Sequence, residues 1–141
     1  MAAELSRKIF IEAAEEIIGS ERIESLSIRR LAKKINCNTG NIYYYFNNLE
    51  EVTVYACMGY YASYLAEVSI LHAEKGYTRE AYEESWQIYI NHAFQYPEIF
   101  LKLIFGPYSR KLSSISGEYY KMFPEKREKL HSTIAKTLVV A

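Results

Sequence analysis

The stretch from Ser27 to Phe46, SIRRLAKKINCNTGNIYYYF, decides the fold predicted for this chain. The apolar residues of its first half recur at helical spacing, and Ser27 precedes them as a residue type that caps helix N-termini. Asn36 suits a tight turn, because asparagine tolerates the left-handed backbone conformation that closes a helix. Asn38 is then a cap for a second short helix. Two helices this short are not stable alone, so the stretch predicts a helix-turn-helix packed on a third helix.

The charge around this stretch is local. The chain of 141 residues holds 17 basic and 17 acidic residues, which cancel. Between Ser25 and Leu49, however, all the charged residues are basic: Arg29, Arg30, Lys33 and Lys34. A basic face is typical of phosphate binding, and the second helix of a helix-turn-helix enters the DNA major groove. The pattern favours a localised contact with DNA, and the alternative is a solvated amphipathic helix pair.

The residues after the turn are small and polar and then rich in tyrosine, in the order Asn38-Thr39-Gly40-Asn41-Ile42-Tyr43-Tyr44-Tyr45-Phe46. With Leu31-Ala32 before the turn and Glu50 after the run, this pattern resembles the DNA-binding domain of the TetR family of bacterial transcriptional regulators. An upstream apolar stripe resembles the first helix of that family: Ile9, Phe10, Ala13, Ala14 and Ile17. The close resemblance covers about the first third of the chain.

The resemblance also implies roles for individual residues. Arg29 matches an arginine that reaches a phosphate or a base edge, and arginine on guanine is the commonest specific contact in the major groove. Tyr43 and Tyr45 match a pair whose hydroxyls bond to phosphates, and Tyr44 faces the groove, toward a base or a thymine methyl. The other expected DNA contacts open the recognition helix or precede the next helix: Asn38, Thr39, Gly40, Asn41 and Asn48.

The chain departs from the family pattern at two positions. Asn36 replaces the usual turn glycine, a change that asparagine tolerates. Leu49 stands where the family usually has a lysine that grips a phosphate, so the salt dependence of binding is expected to be smaller by roughly one unit per half-site. Asn48 and its neighbour Asn47 are candidates to replace part of that contact.

Other function classes find little support in the sequence. Cys37 and Cys57 have no CxxC spacing and the three histidines are far apart, so no disulfide and no metal site are predicted. The chain has no Asp and no Walker, GxGxxG or GxSxG motif, so we expect no enzymatic activity and no cofactor. No apolar run is long enough to span a membrane, and the first ten residues lack an apolar signal region; a cytoplasmic protein is expected.

The rest of the chain is predicted to be helical, which makes the fold all-α. Helices are expected at about 50–74, at 79–95 with Thr78 as cap, at 98–105 and at 124–140, with a loop at 109–117 that leads to a further helical segment. Residues 1–48 are expected to form the three-helix DNA-binding domain, with Ile42 and Phe46 in its core. Residues 49–141 are expected to form a helical-bundle domain for ligand binding and dimerisation, short at its C-terminal end.

The second domain is rich in aromatic residues, which suits a small-molecule pocket because such pockets are largely apolar with a few hydroxyls. The predicted lining residues are Tyr60, Tyr64, Tyr82, Trp86, Tyr89 and Phe105. An aromatic core or a dimer face is the alternative, since aromatic residues at helical spacing commonly belong to a core.

Together these features predict a sequence-specific DNA-binding transcriptional regulator, a ligand-responsive repressor that binds a near-palindromic operator as a homodimer. Its expected partners are the double-stranded operator and an unidentified small-molecule effector. Family members usually dimerise through two C-terminal helices and only one late helix is predicted here, so the interface either lacks a helix or is built differently. The alternatives are a helical partner-binding protein with a degenerate helix-turn-helix and a ligand-binding or enzymatic helical bundle.

Overall fold

The computed structural model describes residues 5–130, in which all regular secondary structure is helical, so the predicted all-α fold is confirmed. These residues form eight α-helices and one 3-10 turn, Ile23–Ser25, which the sequence did not predict. The helices are α1 (Arg7–Ser20), α2 (Ile28–Ile35), α3 (Thr39–Tyr45), α4 (Leu49–Lys75), α5 (Arg79–Gln95), α6 (Pro97–Ile104), α7 (Ser109–Met122) and α8 (Pro124–Arg127). The chain divides into two compact units between Cys57 and Met58, inside α4.

Side-chain caps begin the first three helices. The hydroxyls of Ser6 and Ser27 and the amide oxygen of Asn38 each accept a hydrogen bond from the backbone N–H three residues ahead, at 3.1–3.3 Å. Each bond satisfies an N–H that has no partner inside its helix. Asn36 closes α2 with φ 63° and ψ 52°, the left-handed conformation predicted for it. The caps and the turn of the helix-turn-helix are therefore interactions between residues that are close in sequence.

The core of the first unit forms where α1 packs on α2 and Phe10 reaches α3. Phe10 is fully buried, and its ring centroid lies 5.5 Å from that of Tyr45 and 6.2 Å from that of Phe46. Ile42 and Phe46 are buried, as predicted, whereas Ile9 is only partly buried. The other buried residues of α1 and α2 are Ile11, Ala13, Ala14, Ile17, Ile18, Leu31 and Ala32. Burial of these side chains stabilises helices too short to form alone.

In the second unit the predicted boundaries hold for α5 and α6 and fail for α7. α4 ends at Lys75, close to the predicted end at 74, and is followed by Gly76 at φ 70°; Pro97 begins α6. The loop expected at 109–117 is wrong, because α7 begins at Ser109. Serine side chains of this helix donate to carbonyls of the preceding turn, as Ser114 does to Lys111 at 2.8 Å. Burial of the tyrosines of this helix outweighs the low helix propensity of its serines.

The last predicted helix is shorter than expected. α8 ends at Arg127 and a turn follows, so the prediction of a continuous helix from 124 is wrong over 128–130. The remainder of that prediction, and with it the expected late dimerisation helix, lies outside the described residues.

Candidate functional site

The four basic residues of α2 divide into two pairs, and the first pair is engaged inside the protein. Arg30 forms an ion pair with Glu21, and Lys34 Nζ lies 2.9 Å from a carboxylate oxygen of Glu16. The hydrogen bond from Arg30 lowers the pKa of the Glu21 carboxyl, which favours its ionised form. These two cations therefore connect α2 to the C-terminal end of α1.

Arg29 and Lys33 form the second pair. Both are exposed, and neither makes an ion pair with any residue between 5 and 130. They are four positions apart, which places them on one side of α2. Their charges are available to an external anion. Lys33 was not among the predicted contact residues, although its spacing from Arg29 was a signal for it.

The opening of α3 carries the predicted polar residues. The side-chain oxygen of Asn38 serves as the cap, so its NH₂ group is the part that still offers donors. Thr39 and Gly40 are exposed, and Asn41 is partly buried. A Cβ atom at position 40 would lie 3.2 Å from the Asn38 side-chain oxygen, so a glycine there leaves room for the cap.

The three tyrosines of α3 have different surroundings. Tyr43 is exposed, and Tyr44 is 83 % exposed, with its ring edge-on to that of Tyr45 at 5.0 Å between centroids. Tyr45 is partly buried against Phe10, and its hydroxyl donates a hydrogen bond to the carbonyl of Leu5 at 2.8 Å. A phenol has one hydrogen to donate, so that of Tyr45 is used within the fold.

The start of α4 is held by two reciprocal caps. The side-chain oxygen of Asn48 accepts from the backbone N–H of Glu51 at 2.8 Å, and the Glu51 carboxylate accepts from the backbone N–H of Asn47 at 2.9 Å. Leu49, the first residue of the helix, is partly buried. Asn48 therefore fixes the α3–α4 connection as well as lying where a DNA contact was predicted.

Arg7 adds a contact from α1 to this connection that sequence reasoning missed. Its Nη2 lies 3.1 Å from the Glu51 carboxylate, and its guanidinium carbon lies 5.0 Å from the ring centroid of Phe46 and 4.9 Å from that of Tyr55. Arginine stacks readily on aromatic faces. Arg7 and Glu51 are 44 positions apart in sequence, so no local pattern could have paired them.

In the second unit, five of the six predicted pocket residues line one cleft of about 500 Å³: Tyr64, Tyr82, Trp86, Tyr89 and Phe105. Ser85 and Ile104 complete the lining, which contains no charged side chain. The sixth, Tyr60, is not part of the lining, and its ring lies 4.5 Å from that of Tyr96 between centroids. The volume lies within the range of small-molecule sites, about 300–1,000 Å³.

The rings of this aromatic cleft pack edge to face. Trp86 lies between Tyr82 and Tyr89, with centroid distances of 6.3 Å and 5.9 Å. Burial raises the pKa of the Tyr64 hydroxyl, which keeps it neutral and able to donate a hydrogen bond. Tyr82, Trp86 and Phe105 are largely exposed, so the cleft is open to solvent on their side.

Residues 5–130 were also considered for a metal site, a disulfide and a membrane span. No three His, Cys, Asp or Glu side chains there are grouped so as to hold a metal ion, and no disulfide joins Cys37 to Cys57. No helix in that range has both the length and the apolar character needed to cross a membrane.

Residues 10–55 match the family model described as bacterial regulatory proteins, tetR family. A search of curated proteins and a search of solved structures each found no match. The matched segment runs from α1 into the first part of α4 and so contains Arg29, Lys33 and the whole of α3. The match covers about a third of the chain, and it supports a DNA-binding transcriptional regulator with an N-terminal helix-turn-helix similar to that of the TetR family.

Proposed function

We propose that this protein is a ligand-responsive repressor that binds a near-palindromic operator as a homodimer through α2 and α3. The observation that carries the proposal is the exposure of two cations on α2, which make no ion pair within residues 5–130, beside an exposed, tyrosine-bearing α3. In this proposal residues 1–48 are the DNA-binding domain and residues 49–141 are the regulatory domain.

In this proposal each predicted residue has a physical task. Arg29 and Lys33 bind phosphates, and Arg29 also has the reach for a guanine edge. Tyr43 donates to a phosphate, and Tyr44 contacts a base or a thymine methyl. The residues that open α3, namely Asn38, Thr39, Gly40 and Asn41, lie in the groove.

Two further residues act partly through the fold. Tyr45 orients α3 through its bond to the Leu5 carbonyl and offers its remaining hydroxyl lone pairs to the interface. Asn48 offers its NH₂ group to a phosphate while its oxygen caps α4. A two-fold dimer then places two copies of α3 in successive major grooves. Such a regulator acts in the cytoplasm, where it represses by occupying its operator.

The aromatic cleft is the proposed effector site. Its lining of rings and neutral hydroxyls without a charged side chain suits a largely apolar, aromatic ligand that accepts a hydrogen bond. Tyr64 belongs to α4, the same helix whose first turn carries Glu51. A ligand on Tyr64 changes DNA binding only if it has different affinities for the DNA-competent and DNA-incompetent states.

The proposal is tested by selection from random double-stranded DNA with the purified protein at about 0.15 M salt, where non-specific binding is weak. We expect enrichment of an inverted repeat. Enrichment of a single half-site would support sequence recognition by α3 and contradict the dimer. No enrichment by a well-folded sample would contradict the repressor and favour the helical partner-binding protein with a degenerate helix-turn-helix.

Trp86 is the single tryptophan of the chain and lies in the cleft, so its fluorescence reports ligand binding there. We expect an effector found by this signal to weaken operator binding by about 5- to 150-fold, the usual range of coupling between sites. Tyr82→Ala should weaken the response, whereas Tyr77→Ala, a similarly exposed tyrosine outside the lining, should preserve it. An effector that lowers operator affinity without changing Trp86 emission would place the site elsewhere.

A further inference from the structure

Six large apolar side chains of α5, of α6 and of the residue that ends α6 are exposed, and they are termed here the apolar face. They are Tyr82, Trp86, Ile90, Phe94, Leu101 and Phe105, with exposed fractions between 41 and 82 %. Four of them recur every four residues along α5, which places them on one side of that helix. Phe105 lines the aromatic cleft together with Trp86, and it lines a second hollow of about 220 Å³ together with Phe94 and Leu101. The parts of the face on α5 and α6 are therefore contiguous.

The segment from the middle of α5 to the start of α6 has the composition of a protein–protein interface core. The run from Ser85 to Pro97 contains no Asp, Glu, Lys or Arg, although about half of its residues are exposed. Its one histidine, His92, is engaged with Glu67 of α4 at 3.1 Å. Charged residues are depleted from interface cores, where tryptophan, tyrosine and phenylalanine are enriched. The charged residues of α5 lie at its N-terminal end, as a rim would: Arg79, Glu80, Glu83 and Glu84.

The area of the apolar face matches what a stable dimer needs. A large aromatic side chain buries about 150–250 Å². With their exposed fractions and that area taken for each, the six side chains offer roughly 550–950 Å² per copy. A standard interface buries about 800 Å² on each partner. One surface of this kind is therefore enough to hold two copies together.

The spacing of the side chains favours a two-fold arrangement. Trp86 and Phe94 lie four residues on either side of Ile90. When two α5 helices pack antiparallel with the axis at Ile90, Trp86 of each copy meets Phe94 of the other. A two-fold contact uses the same patch on both copies and is closed. The face is uncharged, so the two copies do not repel each other across it.

We propose that the apolar face is the surface through which two copies of this chain associate, with antiparallel α5 helices and the two-fold axis at Ile90. This rests on the homodimer of the proposed function and names its interface. Tyr82, Trp86 and Phe105 belong both to the face and to the open side of the aromatic cleft. The second copy therefore closes the cleft, and the effector site is complete only in the dimer.

The test is the oligomeric state of the full chain without DNA, measured by sedimentation equilibrium at micromolar concentration. We expect the wild-type chain to be dimeric and Ile90→Glu to weaken association at least 100-fold, because two carboxylates meet at the axis. Ile70→Glu is the matched control, since Ile70 is 51 % exposed against 41 % for Ile90 and lies on α4, outside the apolar face. It should leave the dimer unchanged. Circular dichroism establishes that each variant is folded.

A charge swap locates the axis. Ile90→Lys alone should also be monomeric, whereas an equal mixture of Ile90→Glu and Ile90→Lys should form heterodimers, because opposite charges then meet. A monomeric wild-type chain, a dimeric Ile90→Glu variant, or folded variants that fail to associate in the mixture would each overturn the inference. The sedimentation experiment contains no DNA, so its result does not depend on operator binding. A chain that dimerises but selects no operator would contradict the proposed repressor and leave the proposed dimer interface intact.

Discussion

Replacing Arg29 and Lys33 together by glutamine is expected to lower operator affinity at least about 100-fold, since a hydrogen bond to a charged group contributes about 1.5–3 kcal/mol. Both cations are exposed and lack an ion pair within residues 5–130, so no internal interaction has to be broken for them to reach DNA. For each phosphate that is no longer neutralised, the logarithmic salt dependence should become shallower by about 0.9 units. Fluorescence anisotropy on the selected operator over a range of salt concentrations measures both effects.

The same helix provides the control for this variant. Arg30→Gln together with Lys34→Gln removes the same charge from α2, but these cations are engaged with Glu21 and Glu16. We expect the salt dependence to change little and the stability to fall only slightly, because both ion pairs are exposed to solvent. An equal decrease of salt dependence in the two double variants would show that general charge, and not binding by Arg29 and Lys33, is responsible.

Arg7→Leu is expected to destabilise the protein by about 2–3 kcal/mol. The change removes a charge-assisted hydrogen bond to Glu51, worth about 1.5–3 kcal/mol, and two cation–π contacts of about 0.5–1 kcal/mol each. Arg7 Nε is buried with no hydrogen-bond partner in the described part of the chain. Its burial costs free energy, so the net destabilisation by Arg7→Leu is smaller than the sum of the lost interactions. Urea denaturation followed by circular dichroism measures the change in the free energy of unfolding.

Arg22→Leu is the matched control for Arg7. Arg22 lies 3.5 Å from Glu24, but both side chains are more than half exposed, and such pairs contribute about 0–1 kcal/mol. A double-mutant cycle of Arg7→Leu with Glu51→Gln isolates the energy of that one interaction. Equal destabilisation by Arg7→Leu and Arg22→Leu would contradict the role assigned to Arg7.

The errors in the predicted fold lie where tertiary packing competes with local preference. The serine-rich start of α7 lies within the segment 109–117, which was predicted to be a loop. The structure makes it helical, since Tyr119 and Tyr120 of the same helix are fully buried. Five of the six predicted pocket residues line one cleft, and three of them, Tyr82, Trp86 and Tyr89, follow helical spacing along α5. Tyr60 is not in its lining, because its ring packs against Tyr96.

The sequence by itself determined the helix-turn-helix, because its caps and its turn are interactions between residues three to five positions apart: Ser27, Asn36 and Asn38 act on their own neighbours. Only the tertiary structure decided which groups are left for a partner. Arg29 and Arg30 are adjacent and chemically identical, yet within residues 5–130 one is exposed without an ion pair and the other is held by Glu21. The choice depends on which acidic residue the packing of α1 brings near, and a linear pattern carries no record of that distance.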